Sequence, residues 1–164
     1  MHSHILPKTM PNWTEKFGYG KFIHLVPQED GSADMMQGGQ FFRRIEENCW
    51  DAELRINEYK PFNTQVQVVC TIPVMFSYWA KTADAVELSR FLNDHIAELV
   101  ATYPKNYIGL ATIPMQDTAA AIQELQRAKE IGHVGIQIGS NINDENLSEE
   151  KFFPIFEASI VSFD

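Results

Sequence analysis

The chain has 164 residues, enough for one ordinary domain with a core, and 45% hydrophobic against 21% charged residues is a globular composition. A net charge of −9 argues against nucleic acid or an anionic membrane as the main partner, while a local arginine could still hold a small anion. No apolar run approaches a membrane span and no basic-then-apolar leader is visible. Cys49 and Cys70, outside any C-x-x-C, make no disulfide framework, so buried thiols in a reducing cytosol are expected.

The chain opens Met1-His2-Ser3-His4. Histidines one residue apart act as a pair only in extended backbone, where alternate side chains leave the same face. Ile5, Leu6 and Pro7 follow as the end of a short buried strand should. Imidazole nitrogen suits zinc and its neighbours, so His2 and His4 are candidate metal ligands. A disordered, merely histidine-containing start is the alternative. Residues 8–47 lose regular period and read as a loop-rich insertion holding a short antiparallel pair, 22–26 with 40–45. Such insertions commonly act as lids or binding loops.

Order returns at Asp51, which can cap a helix running to Tyr59 with acidic residues in its first turn. Residues 65–71 are short and β-branched, a buried strand. A helix begins near Thr82, with Leu88, Phe91 or Leu92, Ile96, Leu99 and Tyr103 as its apolar stripe, and Pro104 ends it. Residues 107–112 form the next strand. Asp117 caps a helix with Ala121, Ile122, Leu125 and Ala128 inward, closed by Gly132. A strand at 134–138 and a helix at 148–157 follow, the latter kinked or delayed by Pro154.

Short apolar strands alternating with helices imply α/β architecture with parallel strands. A Thr-Ile-Pro string recurs at Thr71-Ile72-Pro73 and Thr112-Ile113-Pro114, each at the carboxyl end of a strand, as in a repeated βα unit. A closed (β/α)8 barrel needs eight strands and roughly 250 residues. Four strands and part of a fifth unit lead us to expect the amino-terminal half of such a barrel, one partial domain over 1–164 with its insertion after the first strand.

Several stretches together resemble the 2-amino-3-carboxymuconate-6-semialdehyde decarboxylases of the amidohydrolase superfamily. They include Met1–Lys8, 17–20, Phe42-Arg43, 47–51 (Glu-Asn-Cys-Trp-Asp), 71–81 (Thr-Ile-Pro-Val-Met-Phe-Ser-Tyr-Trp-Ala-Lys), 110–116 and 135–139 (Gly-Ile-Gln-Ile-Gly). The match runs to about Ala158. It implies a distorted barrel working as a cytosolic homodimer that binds zinc and decarboxylates the semialdehyde on the kynurenine route of tryptophan breakdown, away from quinolinate. His2 and His4 match the first two zinc ligands, and Arg43 matches a substrate-binding arginine whose guanidinium fork suits a carboxylate. Phe76, Tyr78 and Trp79 are expected to wall the pocket.

The family completes its ligand set with a further histidine, an aspartate and a catalytic histidine on later strands, and Asp164 matches none of them. We therefore expect a truncated form with an incomplete zinc site, inactive alone. The rival readings are a non-catalytic fragment that pairs with a full-length decarboxylase and another carboxylate lyase of the superfamily. Arg43 can equally be a solvated surface residue beside Arg44. His24, His95 and His133 carry no motif, and Gly18, Gly20, Gly38 and Gly39 read as turns and not a phosphate loop.

Overall fold

A computed structural model describes residues 1–163; Asp164 lies outside the described residues. The first strand, β1 (His2–His4), is three residues long. The chain then leaves the sheet for a short helix, α1 (Trp13–Phe17), and three strands, β2 (Ile23–Pro27), β3 (Ala33–Gln37) and β4 (Gln40–Ile45). These form a separate antiparallel sheet in the order β2-β3-β4. The expected antiparallel pair is thus a triplet. Its middle strand alternates over Ala33-Asp34-Met35 and then loses the period of two at a register irregularity between Met35 and Met36.

Asp51 caps α2 (Ala52–Tyr59), its side chain accepting from Leu54 N at 2.7 Å. Next come β5 (Gln67–Cys70), the long α3 (Thr82–Thr102), β6 (Tyr107–Gly109) and α4 (Thr118–Glu130). Asp117 caps α4 through Ala120 N at 3.0 Å, and Gly132 takes φ +101 just beyond its end. On α3, Leu88, Leu92, Ile96 and Leu99 are buried. The choice left open between Phe91 and Leu92 resolves by place. Leu92 is buried, while the half-buried Phe91 packs edge-on against Trp13 of the insertion at 5.2 Å.

The main sheet is parallel, in the order β1-β5-β6, with His4 opposite Cys70. Residues 134–138, expected as a strand, continue this sheet around an isolated parallel bridge, Ala111 to Ile136. Val134 N donates to Gly109 O at 3.1 Å and Gln137 N to Ala111 O at 2.8 Å. A single bridge is too short a ladder to make a regular strand. Beyond it lie a hairpin, β7 (Asn141–Ile142) with β8 (Glu145–Asn146), and α5 (Phe153–Phe163). Pro154 falls in the first turn of α5, where a missing N–H costs nothing, so it delays the helix and does not kink it.

Parallel strands joined by helices, with strand ends gathered on one face, make an α/β fold of the partial-barrel type. A polar joint lies inside it. Glu124 of α4, 1% exposed, accepts from Asn93 Nδ2 at 2.8 Å and pairs with Arg127 at 2.8 Å and Arg90 at 3.3 Å. Asn93 also donates to Thr112 O and accepts from Thr112 N, which fastens α3 to the end of β6. No helix among the described residues is long and apolar enough to cross a membrane.

Candidate metal centre and carboxylate cleft

His2 and His4 project from the same side of β1, their ring centroids 5.3 Å apart. His4 Nδ1 donates to Thr71 O at 3.0 Å, which in the neutral ring leaves the Nε2 lone pair free. That is how proteins commonly orient a ligating imidazole, its second nitrogen held by a carbonyl. Burial holds the His4 pKa below its ordinary value, with the bond to Thr71 opposing and the neighbouring His2 and Arg55 adding to the effect. The ring is thus kept in the form that can bind a cation.

Parallel pairing brings a third donor. Cys70 Sγ, at the end of β5, lies 3.3 Å from His2 Nε2 and 3.2 Å from His4 Nδ1. One donor atom from each of His2, His4 and Cys70 lies within 4.8 Å of the others. Gln137, reaching over from the bridged segment, places Oε1 3.2 Å from His2 Nε2 and in direct contact with Cys70 Sγ. Three adjacent segments of the sheet thus converge on one point. The donor set of two imidazoles and a thiol fits a divalent ion with a taste for nitrogen and sulfur. Burial pushes the Cys70 thiol up to about 12, so without an ion it is protonated.

Below this point sits Arg55 of α2, 6% exposed and without a carboxylate partner among the described residues. Its Nη1 donates to His4 O at 2.8 Å and Asn48 O at 3.1 Å. Its Nη2 donates to Ser3 Oγ at 2.8 Å and Gln67 Oε1 at 3.0 Å. One guanidinium therefore ties the backbone of β1 to β5 and to the turn before α2. The short strand is also held by Met1 N to Val66 O at 3.0 Å and by Ile5 N to Cys70 O at 3.0 Å.

A cleft of about 470 Å³ opens beside His4. Leu6, Met35, Ile45, Ile72 and Val74 give it apolar walls, and Arg43 and Phe42 reach it from β4. Strand alternation separates the two arginines. Arg44 is engaged by Asp34 at 2.8 Å, while Arg43 has no hydrogen-bond or ion-pair partner among the described residues. Cys49 also lines the cleft, only half-buried, so of the two cysteines expected to be buried thiols only Cys70 is enclosed.

Phe76, Tyr78 and Trp79 do not wall this cleft, contrary to expectation. They line a second hollow beside Gly139 and Asn143. The positive φ of Ser77 (+52) follows the turn at Pro73–Met75 and redirects the chain there. Tyr78 Oη accepts from Gly139 N at 3.0 Å, and Trp79 lies over Phe22 with ring centroids 4.6 Å apart. These aromatics dock the bridged segment and the insertion. Cys70, Gln137 and Arg55 were not singled out as site residues from sequence. The available signals were the Thr-Ile-Pro string marking where β5 ends, and a charged residue on the inward face of α2.

An amidohydrolase family model matches residues 1–159. The chain belongs to the amidohydrolase family. It is 51% identical over 158 residues to 2-amino-3-carboxymuconate-6-semialdehyde decarboxylase of Dictyostelium discoideum, covering 96% of this chain and 44% of that protein. The corresponding Caenorhabditis elegans decarboxylase is 35% identical, with the same two coverages. The chain therefore spans a little under half the length of the curated relatives it matches. Among solved structures, the manganese complex of 5-carboxyvanillate decarboxylase from Novosphingobium aromaticivorans aligns with TM-score 0.66 and 30% identity over 71% of this chain and 34% of that one. A manganese-bound dihydroxybenzoic acid decarboxylase from Polaromonas, 21% identical, aligns over 98% of this chain and 45% of its own with TM-score 0.65, a likeness of fold.

Proposed function

We propose that this chain supplies the metal-binding and carboxylate-binding part of a decarboxylase acting on 2-amino-3-carboxymuconate 6-semialdehyde in the kynurenine route. The observation that carries the reading is that His4 and Arg43, whose side chain has no partner among the described residues, line one cleft. The resemblance to the named decarboxylases supports the substrate, zinc as the ion, and a cytosolic homodimer. His2 and His4 would hold the ion, which supplies Lewis acidity toward a carboxylate or carbonyl oxygen when bound.

The remaining work falls to the chain itself. Arg43 fixes one carboxylate of the substrate bidentately and so sets which end faces the histidines. Leu6, Met35, Ile45, Ile72 and Val74 exclude water around the other end. As the carbon–carbon bond breaks, its electron pair stays on the substrate carbon, which takes a proton from solvent, and the carboxylate leaves as neutral carbon dioxide; an apolar wall around that carboxylate favours departure over the charged ground state. Arg55 braces the backbone of β1, and Thr71 O fixes the His4 ring.

The test uses muconate, a non-reactive dicarboxylate, titrated into the zinc-loaded chain by calorimetry. Arg43→Ala should weaken binding about 10–100-fold, the worth of a charge-assisted hydrogen bond. Equal affinity in both proteins would refute the role of Arg43. Decay of the semialdehyde above a buffer blank, with carbon dioxide evolved, is the direct assay of the activity. The apolar cleft walls also suit an aromatic acid, so 2,6-dihydroxybenzoate binding more tightly than muconate would favour that second substrate class.

A further inference from the structure

We infer that the amino end of the parallel sheet carries an anion site, a cavity between α2 and the starts of β5 and β6 that takes a phosphate group on Lys60, Lys105 and the side-chain amide of Gln67. Gln67 opens β5 and Cys70 closes it, so the site lies about 10 Å along the strand from the end that meets His4, at about 3.3 Å per residue.

A buried amide carries the inference. Gln67 is 3% exposed. Its Oε1 accepts from Arg55 Nε at 3.3 Å, from Arg55 Nη2 at 3.0 Å and from Ser3 Oγ at 3.3 Å. Those donors fix the orientation of the amide, because a flipped group would turn its own N–H bonds against the guanidinium. Nε2 is therefore turned away from Arg55, and it has no hydrogen-bond partner among the described residues. Gln67 also lines a cavity of about 380 Å³. A buried donor left unmade is costly, and an acceptor in that cavity removes the cost.

Charge points to the kind of acceptor. The chain has 22 acidic against 13 basic residues, yet among the described residues two lysines and no carboxylate line this cavity. Lys60 Nζ donates to the neutral Asn57 Oδ1 at 2.8 Å, which leaves its charge uncompensated. Lys105 has no hydrogen-bond or ion-pair partner among the described residues. Behind Gln67 the buried Arg55 is a third positive charge, and the amide dipole, oxygen toward Arg55, turns its positive end to the cavity. Ammonium groups hold phosphate as point charges, whereas a lone carboxylate is better matched by an arginine fork. The volume falls in the range of small-molecule sites and leaves room for an organic substituent on the phosphate.

The experiment titrates inorganic phosphate into the full chain carrying Arg43→Ala, without added metal and at ionic strength held constant with sodium chloride. Arg43→Ala removes the cleft arginine as a competing anion site, so the result is independent of its role. The side-chain amide resonances of Gln67 are followed by NMR. We expect them to shift and to saturate at about 10 mM phosphate, the strength of a few exposed charge-assisted contacts. Lys60→Gln and Lys105→Gln should each weaken binding about 3–10-fold. Both lysines are exposed, so these changes leave the packing intact. Unmoved Gln67 resonances, the same shift with chloride alone, or unchanged affinity in both lysine variants would overturn the site. The Gln67 signal decides the point even if a variant folds poorly. Ribose 5-phosphate binding more tightly than inorganic phosphate would support the site with a phosphorylated small molecule as its ligand, and equal binding would support it with the free ion.

Discussion

Arg55→Met is the most informative single change in this protein. It removes one guanidinium that donates to Ser3 Oγ, His4 O, Asn48 O and Gln67 Oε1, at distances from 2.8 to 3.3 Å. Each buried acceptor left without a donor costs about 1–3 kcal/mol. Gln67 is 3% exposed and cannot turn to water freely. Against this, methionine spares the folded chain the burial of a charge with no carboxylate partner among the described residues, which returns several kcal/mol. We set the net loss at about 2–4 kcal/mol. For a domain of this size that lowers Tm by roughly 5–15 °C at 2–4 °C per kcal/mol. Urea unfolding gives the free energy, and amide exchange at Ser3 and His4 should accelerate more than exchange in α4. Zinc affinity should fall about 10–100-fold, because the strand carrying both imidazoles loosens. Arg55→Lys, which keeps the charge and loses the fork, should recover only part of the loss. Stability within about 0.5 kcal/mol of the native chain, with unchanged exchange at β1, would refute the claim that Arg55 holds the ligand strand.

Glu124→Gln removes the buried carboxylate shared by Arg127 and Arg90, but both arginines reach solvent and Arg127 keeps Asp94, so it should cost about 1–3 kcal/mol by chemical denaturation; a loss below about 0.5 kcal/mol would show the joint to be dispensable. Gly20 has φ +83, and an added Cβ would lie 2.5 Å from the Trp79 ring. Gly20→Ala should therefore destabilise by about 1–3 kcal/mol and red-shift tryptophan fluorescence, and Trp79→Ala should rescue only the steric part. Burial lowers the His133 pKa, with Arg127 adding to the effect and the bonds to Asn93 and Gly109 and the charge of Glu124 opposing it. The unfolded chain then takes a proton first as pH falls. Stability from this group is complete above the ordinary value of 6.5 and lost as pH drops toward the folded value. His95 is lowered in the same direction, so Tm should decline from about pH 7 to 5, and less steeply in His133→Gln. A pH-independent Tm over that range would contradict the burial of both rings.

Where local rules suffice, the sequence was readable. Asp51 and Asp117 precede their helices at the spacing a cap requires, and the caps form. The stripe on α3 repeats at helical period, and β5 declares itself by β-branched density. The insertion is less legible, because the alternation of its middle strand lasts only three residues before the irregularity at Met35/Met36 breaks it. Pro154 was read as a kink or a delay, and its place in the first helical turn decides between them.

By itself the sequence determined the alternation of strand and helix, the His2–His4 pair on one face of β1, and the family of decarboxylases this chain resembles. Those are properties of neighbours along the chain, set by dihedral preference and side-chain period. Tertiary structure alone decided what meets at the strand ends. Cys70 lies 66 residues from His4 in sequence and Gln137 lies 135 from His2, and only parallel pairing brings them together. Arg55 became the support of the ligand strand because α2 docks behind it, and Arg43 faces the cleft because β4 turns Arg44 toward Asp34. Parallel register has no local signal, since each partner strand is chosen by burial across the whole sheet.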